Sequence, residues 1–87
     1  MFDVVFVDAD KQDYASLLDA VVPRIRPGGL VIYDNALWGG RVTLEHPEDA
    51  STRGVQAFLE KLFAHPELDA QVLPAGDGLA VGRKRGA

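Results

Sequence analysis

The sequence contains no cysteine and no long uninterrupted run of apolar residues. Without cysteine, a disulfide scaffold, a thiolate zinc site and a cysteine nucleophile are all excluded. No apolar segment approaches the ~20 residues that a membrane-spanning helix needs. The first residues, Met1 to Asp3, lack the basic segment of a signal peptide. We therefore expect a cytoplasmic protein that has no membrane partner.

Basic residues are also in the minority. Nine lysines and arginines face 13 aspartates and glutamates, which gives a formal charge of −4. The basic cluster Arg83 to Arg85 stands near the end of the sequence. Because nucleic-acid binding requires a basic face, we expect no nucleic-acid partner. A chain of 87 residues has room for one small core, so we expect a single domain over residues 1–87.

Apolar patterning in the first part of the sequence predicts a strand, a helix and a second strand. Phe2–Ala9 and Leu30–Asp34 are nearly continuous apolar runs, typical of strands that are buried on both faces of a parallel sheet. Asp10–Ile25 carries apolar residues at helical spacing, and Pro23 is expected to end or kink this helix. Arg26–Gly29 is expected to form a turn, which completes a right-handed βαβ unit.

The second part of the sequence predicts a loop, a helix and a hairpin. Residues 35–50 have little periodicity and indicate a long loop. Ser51–Thr52 is expected to cap a helix that ends near His65. Leu68–Leu73 and Leu79–Arg83 are expected to pair as an antiparallel hairpin. The order β-α-β-α-β-β predicts an α/β fold, namely the C-terminal half of a doubly wound, Rossmann-like sheet with a terminal hairpin.

Polar side chains follow the two predicted parallel strands. Asp8, Asp10 and Lys11 come after the first strand, and Asp34 and Asn35 come after the second. If the strands are neighbours, these groups meet at one edge of the sheet. Two carboxylates and an amide oxygen are hard ligands that suit Mg²⁺, Mn²⁺ or Ca²⁺. A lysine near a metal in a dry site can act as a general base.

Structural roles would also account for these residues. An aspartate after a strand often caps the next helix, which would explain Asp10. Asp34 and Asn35 are typical of a turn, and Lys11 alone is typical of a solvated lysine. The metal site is favoured because a pair of polar residues follows each of the two strands, Asp8 with Asp10 after the first and Asp34 with Asn35 after the second. The two histidines, His46 and His65, lie next to prolines, and no further histidine or cysteine completes a zinc site.

Several motifs, in one order, carry a family resemblance. VFVDADK, then PGG followed by LVIYDN, then Leu37–Trp38 and PAGDGLAVGRK together resemble the cation-dependent O-methyltransferases, among them the caffeoyl-CoA and catechol O-methyltransferases. The resemblance covers almost the whole sequence and implies a class I methyltransferase fold that binds S-adenosylmethionine. It implies that Asp8, Asp34 and Asn35 hold the divalent cation, Mg²⁺ or else Mn²⁺ or Ca²⁺, and that Lys11 is the base.

The resemblance also implies roles around the substrates. Asp10 matches a position near the methyl donor, and Trp38 matches a tryptophan that walls the substrate site. Alternatively, Trp38 is a loop aromatic that covers the core. The implied reaction is methyl transfer from S-adenosylmethionine to a hydroxyl of a small aromatic, catechol-like acceptor. The metal would lower the pKa of that hydroxyl, and Lys11 would take its proton.

The sequence departs from the family pattern in its glycines. The resemblance implies that the donor nucleotide is held mainly by the first half of the sheet, which carries a glycine-rich turn after its first strand and an acidic residue for the ribose. Gly28–Gly29 precedes a predicted strand, and Gly76–Gly78 lies in a predicted turn. We therefore expect the N-terminal, donor-binding half to be absent and the chain alone to be inactive. The first strand would then have a free apolar edge, so we expect a homo-oligomer, such as a dimer, to form through it.

Two other functions fit parts of the sequence. A non-catalytic remnant or assembly module would retain the methyltransferase packing, and only donor binding and turnover would separate it from the enzyme. A receiver-like signalling domain would explain an apolar strand that ends at Asp8. A complete receiver also requires an earlier acidic pair and further βα units, which this sequence lacks.

Overall fold

The computed structural model describes residues 1–86 and, within them, the side chains of all but residues 39, 41 and 42. The elements follow the predicted order β-α-β-α-β-β. Their bounds are β1 Phe2–Val7, α1 Tyr14–Val21, β2 Ile25–Tyr33, α2 Ala50–Ala64, β3 Leu68–Leu73 and β4 Leu79–Lys84. Short 3-10 turns cover Lys11–Asp13, Val22–Arg24 and Trp38–Thr43.

The four strands form one mixed sheet in the order β1-β2-β4-β3. β1 runs parallel to β2, while β4 runs antiparallel to both of its neighbours. The predicted hairpin of β3 and β4 is confirmed, with Leu73 opposite Leu79 at its closed end. The predicted α/β class is therefore correct for the described residues, in the form of a four-stranded sheet with two helices.

The core lies between one face of the sheet and the two helices. Its centre is a group of three aromatic rings, Tyr14 from α1, Tyr33 from β2 and Phe58 from α2, each fully buried. The ring centroids are 4.0 to 5.4 Å apart, and Tyr14 meets both of its neighbours edge to face. Edge-to-face pairs at this spacing stabilise a core beyond the burial of their area. Aliphatic side chains from both helices, such as Leu18 and Leu62, complete it.

The prediction that the first strand is buried on both faces is wrong for this chain. Phe2, Val4 and Phe6 are 57%, 53% and 57% exposed, whereas Val7, on the other face, is 6% exposed. The physical reason is that α1 and α2 both contribute to a single core on one face of the sheet. The alternating exposure follows from the period of two of a β-strand.

The element boundaries around α1 also differ from the prediction. The expected helix over Asp10–Ile25 is regular only from Tyr14 to Val21, with a 3-10 turn at each end. Pro23 lies in the second of these turns, so the expectation that it ends the helix early is confirmed. The expected turn at Arg26–Gly29 lies within the bounds of β2. There the pairing with β1 jumps from Ile25 to Leu30, so four residues of β2 lie opposite one residue of β1, and Gly28 among them has a positive φ of 86°.

The N-cap of α2 is Asp49 and not the expected Ser51–Thr52. The Asp49 carboxylate accepts a hydrogen bond from the backbone N–H of Thr52 at 2.8 Å. It also accepts the Thr52 hydroxyl proton, with oxygen distances of 2.7 and 2.8 Å. Thr52 is fully buried, so Asp49 satisfies both a helix-end donor and a buried hydroxyl.

Candidate functional site

The register of β1 and β2 places Asp8 beside Asp34. Val7 and Tyr33 are paired residues at the carboxyl ends of the two parallel strands, and Asp8 and Asp34 each follow directly. Neighbouring strands lie about 5 Å apart, so the backbones at the two aspartates are adjacent. Both aspartates are exposed. The two aspartates therefore lie side by side where β1 and β2 end, exposed to solvent, as the sequence predicted.

Asn35 follows Asp34 in a left-handed backbone conformation, with φ of 57°. The Asp34 carboxylate accepts the backbone N–H of Asn35 at 2.8 Å, and the Asn35 carbonyl accepts the N–H of Trp38 at 3.1 Å. Asparagine tolerates a positive φ better than most residues. The predicted turn role of this pair is thus present, and it leaves further carboxylate and amide oxygens for a ligand.

The side-chain amine of Lys11 is hydrogen-bonded to a buried phenol. Its Nζ donates a hydrogen bond to the hydroxyl of Tyr14 at 2.9 Å, and that hydroxyl donates in turn to the carbonyl of Asp34 at 3.0 Å. The 3-10 turn that carries Lys11 is therefore linked to the end of β2. Tyr14 was not among the residues predicted for the site. The signal was its spacing of three residues from Lys11, which places two side chains on one face of a helical turn.

Trp38 lies close to the same amine. The Nζ of Lys11 is 5.4 Å from the centroid of the Trp38 ring and 4.7 Å from that of Tyr14. Both distances lie within the range of an attractive cation–π contact. Trp38 also has a positive φ of 48°, which is uncommon for a bulky residue. The fold therefore brings together Lys11 and Trp38, which are 27 positions apart in the sequence.

Asp10 is exposed at the start of the first 3-10 turn. Its backbone carbonyl accepts the N–H of Asp13 at 2.9 Å, but its side chain makes no capping hydrogen bond. Asp10 is therefore the N-cap residue of this turn, as the alternative expected, but its carboxylate makes no capping hydrogen bond.

Neither of the two histidines, His46 and His65, lies at the ends of β1 and β2. The Nδ1 atom of His65 accepts the backbone N–H of Glu67 at the end of α2, and His46 is exposed in the loop before that helix. Across residues 1–86, no three side chains from His, Cys, Asp and Glu cluster closely enough to hold a metal ion. The site at the ends of β1 and β2 offers two carboxylates and an amide, so a bound metal would need further ligands from solvent or substrate.

Burial raises the pKa of the Tyr33 hydroxyl far above its ordinary value, and the nearby Tyr14 and Asp19 raise it further. Tyr33 is the last residue of β2, directly before Asp34. Its hydroxyl donates to the backbone carbonyl of Tyr14 at 3.1 Å. The hydroxyl therefore stays protonated and remains a hydrogen-bond donor in the folded chain.

Acidic side chains follow the carboxyl ends of two parallel strands, and the antiparallel strand β4 lies inside the sheet, so the domain is of the α/β class and carries its candidate site where open α/β sheets bind ligands. A family model described as "O-methyltransferase" matches residues 1–85. This chain therefore belongs to the O-methyltransferase family.

Named relatives agree with this assignment. The chain is 37% identical to tricin synthase 2 of Oryza sativa subsp. japonica, over 95% of this chain and 30% of that protein. It is 40% identical to caffeoyl-CoA O-methyltransferase 2 of Zea mays, over 95% of this chain and 34% of that protein. The O-methyltransferase TomG of Streptomyces achromogenes, solved with SAM, superposes with a TM-score of 0.87 at 33% identity, over 98% of this chain and 40% of TomG.

The chain thus spans about a third of the length of the plant relatives that it matches. Within the described part of the chain, no helix is both long and apolar enough to cross a membrane.

Proposed function

We propose that this chain carries the metal-binding and acceptor-binding part of an O-methyltransferase that uses S-adenosylmethionine and a divalent cation. The observation that carries the proposal is the β1–β2 register, which sets Asp8 beside Asp34 while Lys11 is tied to the Asp34 carbonyl through one hydroxyl. The relatives support the reaction class, because they are caffeoyl-CoA O-methyltransferases by name.

The proposed metal ligands are Asp8, Asp34 and Asn35. Their oxygen atoms fit a hard cation, Mg²⁺ or else Mn²⁺ or Ca²⁺, and both carboxylates are exposed at the sheet edge. A bound cation would lower the pKa of the acceptor hydroxyl and make it a better nucleophile. The acceptor is a small aromatic molecule with a hydroxyl group, as in catechol, and Trp38 forms one wall of its site.

The proposed reaction moves a methyl group from sulfur to oxygen. A bond forms between the acceptor oxygen and the methyl carbon as the bond from that carbon to the sulfonium sulfur breaks. S-adenosylmethionine leaves as the neutral thioether S-adenosylhomocysteine, and Lys11 accepts the hydroxyl proton. This displacement requires the three atoms in line, so correct positioning supplies much of the rate acceleration. Asp10, exposed at the same edge, would lie near the methyl donor.

We further propose that residues 1–87 are a single partial domain, the C-terminal half of the family's doubly wound sheet. The strand order, with antiparallel β4 between β2 and β3, and the one-third coverage of the relatives support this proposal. A chain without the donor-binding half would be inactive by itself. We also propose that it acts in the cytoplasm.

The alternative is a non-catalytic remnant or assembly module that keeps the methyltransferase packing. The exposed apolar face of β1, with Phe2, Val4 and Phe6, favours this alternative because such a surface suits a protein contact better than a catalytic cleft.

Calorimetric titration of S-adenosylmethionine into the purified chain, with and without Mg²⁺, tests these proposals. We expect no donor binding, together with saturable Mn²⁺ binding in a separate titration. Saturable donor binding at micromolar concentration would overturn the partial-domain proposal and would call for activity assays. Failure to bind either ligand would leave the non-catalytic module as the function of the chain and would overturn the proposed metal site.

A further inference from the structure

The geometry points to Tyr14 as the residue that positions Lys11, the proposed base. The inference rests on the proposed function, since Lys11 matters as a base only in that reaction. Tyr14 is a positioning residue in this account, because it acts through Lys11 and has no proposed contact with the acceptor or the donor.

The hydroxyl of Tyr14 bridges two elements of the site. It accepts a hydrogen bond from the Lys11 amine at 2.9 Å and donates one to the Asp34 carbonyl at 3.0 Å. Lys11 precedes α1, whereas Asp34 follows β2. One hydroxyl thus sets the distance from the proposed base to the strand end that carries two of the proposed metal ligands.

The ring of Tyr14 cannot easily move. It is 0% exposed, and it meets the rings of Tyr33 and Phe58 edge to face. A free lysine side chain, by contrast, has large rotamer freedom. The buried phenol therefore orders an amine that would otherwise sample many positions.

The direction of these hydrogen bonds suits a base. A phenol has one donor hydrogen, which Tyr14 gives to the Asp34 carbonyl, so its oxygen accepts from Lys11. A neutral lysine amine has two hydrogens and one lone pair. When one N–H is given to Tyr14, the lone pair remains available to take the acceptor's proton.

The main chain of Lys11 is also fixed. A Cβ atom at Gly54 of α2 would overlap the carbonyl oxygen of Lys11, so the helix packs directly against this backbone. Because the backbone is held by α2 and the amine by Tyr14, both ends of the lysine have defined positions.

The test measures the motion of lysine amines in the metal-free 87-residue chain. Because neither metal nor donor is needed, its outcome is independent of whether the chain binds either one. Nitrogen-15 relaxation of the lysine Nζ groups by NMR is compared in the wild type and in Tyr14→Phe. We expect the Lys11 order parameter to fall by roughly a third or more in the variant. The amines of Lys61 and Lys84, which donate to backbone carbonyls elsewhere, should not change.

Tyr33→Phe is the matched control, because it also removes one buried phenol hydroxyl from the same aromatic group. It should leave the Lys11 order parameter at its wild-type value. If the two variants mobilise Lys11 equally, the effect comes from general loosening of the core and the inference is overturned. The inference also fails if Lys11 is as mobile in the wild type as in Tyr14→Phe.

A reciprocal variant covers the case in which Tyr14→Phe does not fold. Lys11→Met changes a side chain outside the core, and we expect it to move the carbon-13 resonance of Cζ in Tyr14 but not in Tyr33. Unchanged Tyr14 resonances would mean that no hydrogen bond joins the two residues, which would contradict the inference.

Discussion

A Cβ atom at Gly78 would lie 2.7 Å from the Cγ atom of Leu37, because the β3–β4 turn passes directly against the loop after Asn35. The same turn accepts two hydrogen bonds from this loop. The N–H of Leu37 donates to the Asp77 carbonyl at 2.9 Å, and the N–H of Ala36 donates to the Gly78 carbonyl at 3.0 Å. The turn thus supports the backbone that follows the proposed metal ligands.

We predict that Gly78→Ala destabilises the chain more than Gly76→Ala does. Both glycines have a positive φ, 89° and 56° respectively, so both variants carry a backbone cost of about 1–2 kcal/mol. A Cβ at Gly76 would meet nothing within 4 Å, whereas one at Gly78 would collide with Leu37 and add roughly 1–3 kcal/mol. Urea denaturation measures both free energies of unfolding. Equal losses would show that the turn does not press on the loop.

Metal affinity should depend on Asp8 and Asp34 but not on Asp10. We expect Asp8→Asn and Asp34→Asn each to weaken Mn²⁺ binding by about tenfold or more, since each removes the charge of a proposed ligand. Asp10→Asn removes the same charge two residues from Asp8, so it controls for long-range electrostatics and should change affinity by less than about twofold. Electron paramagnetic resonance titration of free Mn²⁺ gives the three constants. Equal weakening by all three variants would indicate diffuse attraction and no defined site.

Loss of the α2 N-cap should destabilise the chain when Asp49 is replaced but not when Ser51 is replaced. Asp49→Ala removes the acceptor for the Thr52 N–H and leaves a buried hydroxyl without its carboxylate partner, so we expect a loss of about 1–3 kcal/mol. Ser51→Ala, at the position where the sequence predicted the cap, should change the free energy of unfolding by less than about 0.5 kcal/mol. Thermal and urea unfolding give both values. A larger loss for Ser51→Ala would contradict the assignment of the cap.

Stability should fall at alkaline pH because of Tyr33. Burial raises the pKa of its hydroxyl in the folded chain above the ordinary 10.0, so the folded state keeps a proton that the unfolded state loses. The stabilisation is complete below about pH 10 and decreases above it, by up to about 1.4 kcal/mol per pH unit. Tyr33→Phe removes this contribution, so its urea midpoint should fall less steeply between about pH 9 and 11. Parallel curves for the two proteins would contradict the assignment.

We propose that a second copy of the chain pairs with β1. Phe2, Val4 and Phe6 are exposed there, and β1 is an edge strand with one partner in the described sheet. Phe6→Lys should shift the chain from dimer to monomer at micromolar concentration, because a charge on an edge strand opposes pairing. Leu73→Lys, on the other edge strand, is the control and should leave the dimer intact. If sedimentation velocity shows that the wild-type chain is a monomer at micromolar concentration, the proposed pairing is wrong.

The order of the elements and the hairpin were predictable because their signals are local. The apolar runs around Phe6 and Ile32, the helical spacing of Leu18 and Val22, and the short turn before Leu79 each indicate one element without reference to the rest of the chain. The burial of β1 was not predictable in this way. Its residues suit a strand covered on both faces, but where α1 and α2 pack is decided by the whole sheet.

Local chemistry also predicted which candidate residues would lie at one end of the sheet. Asp8 and Asp34 come at the ends of adjacent strands in the sequence, so a parallel pairing was enough to bring them together. The cap of α2 was predicted two to three residues too late, because serine, threonine and aspartate are all good caps and the sequence offers them in one cluster. Only the hydrogen bonds to Asp49 distinguish among them.

The sequence by itself determined which chemical groups stand at the ends of β1 and β2, because residue type and strand end are properties of short segments. The tertiary structure alone decided that the Lys11 amine meets a buried phenol and, through it, the carbonyl of Asp34. That contact requires α1 to pack on β2 at a particular height and rotation. Packing of this kind depends on the shapes of Tyr14, Tyr33 and Phe58 together.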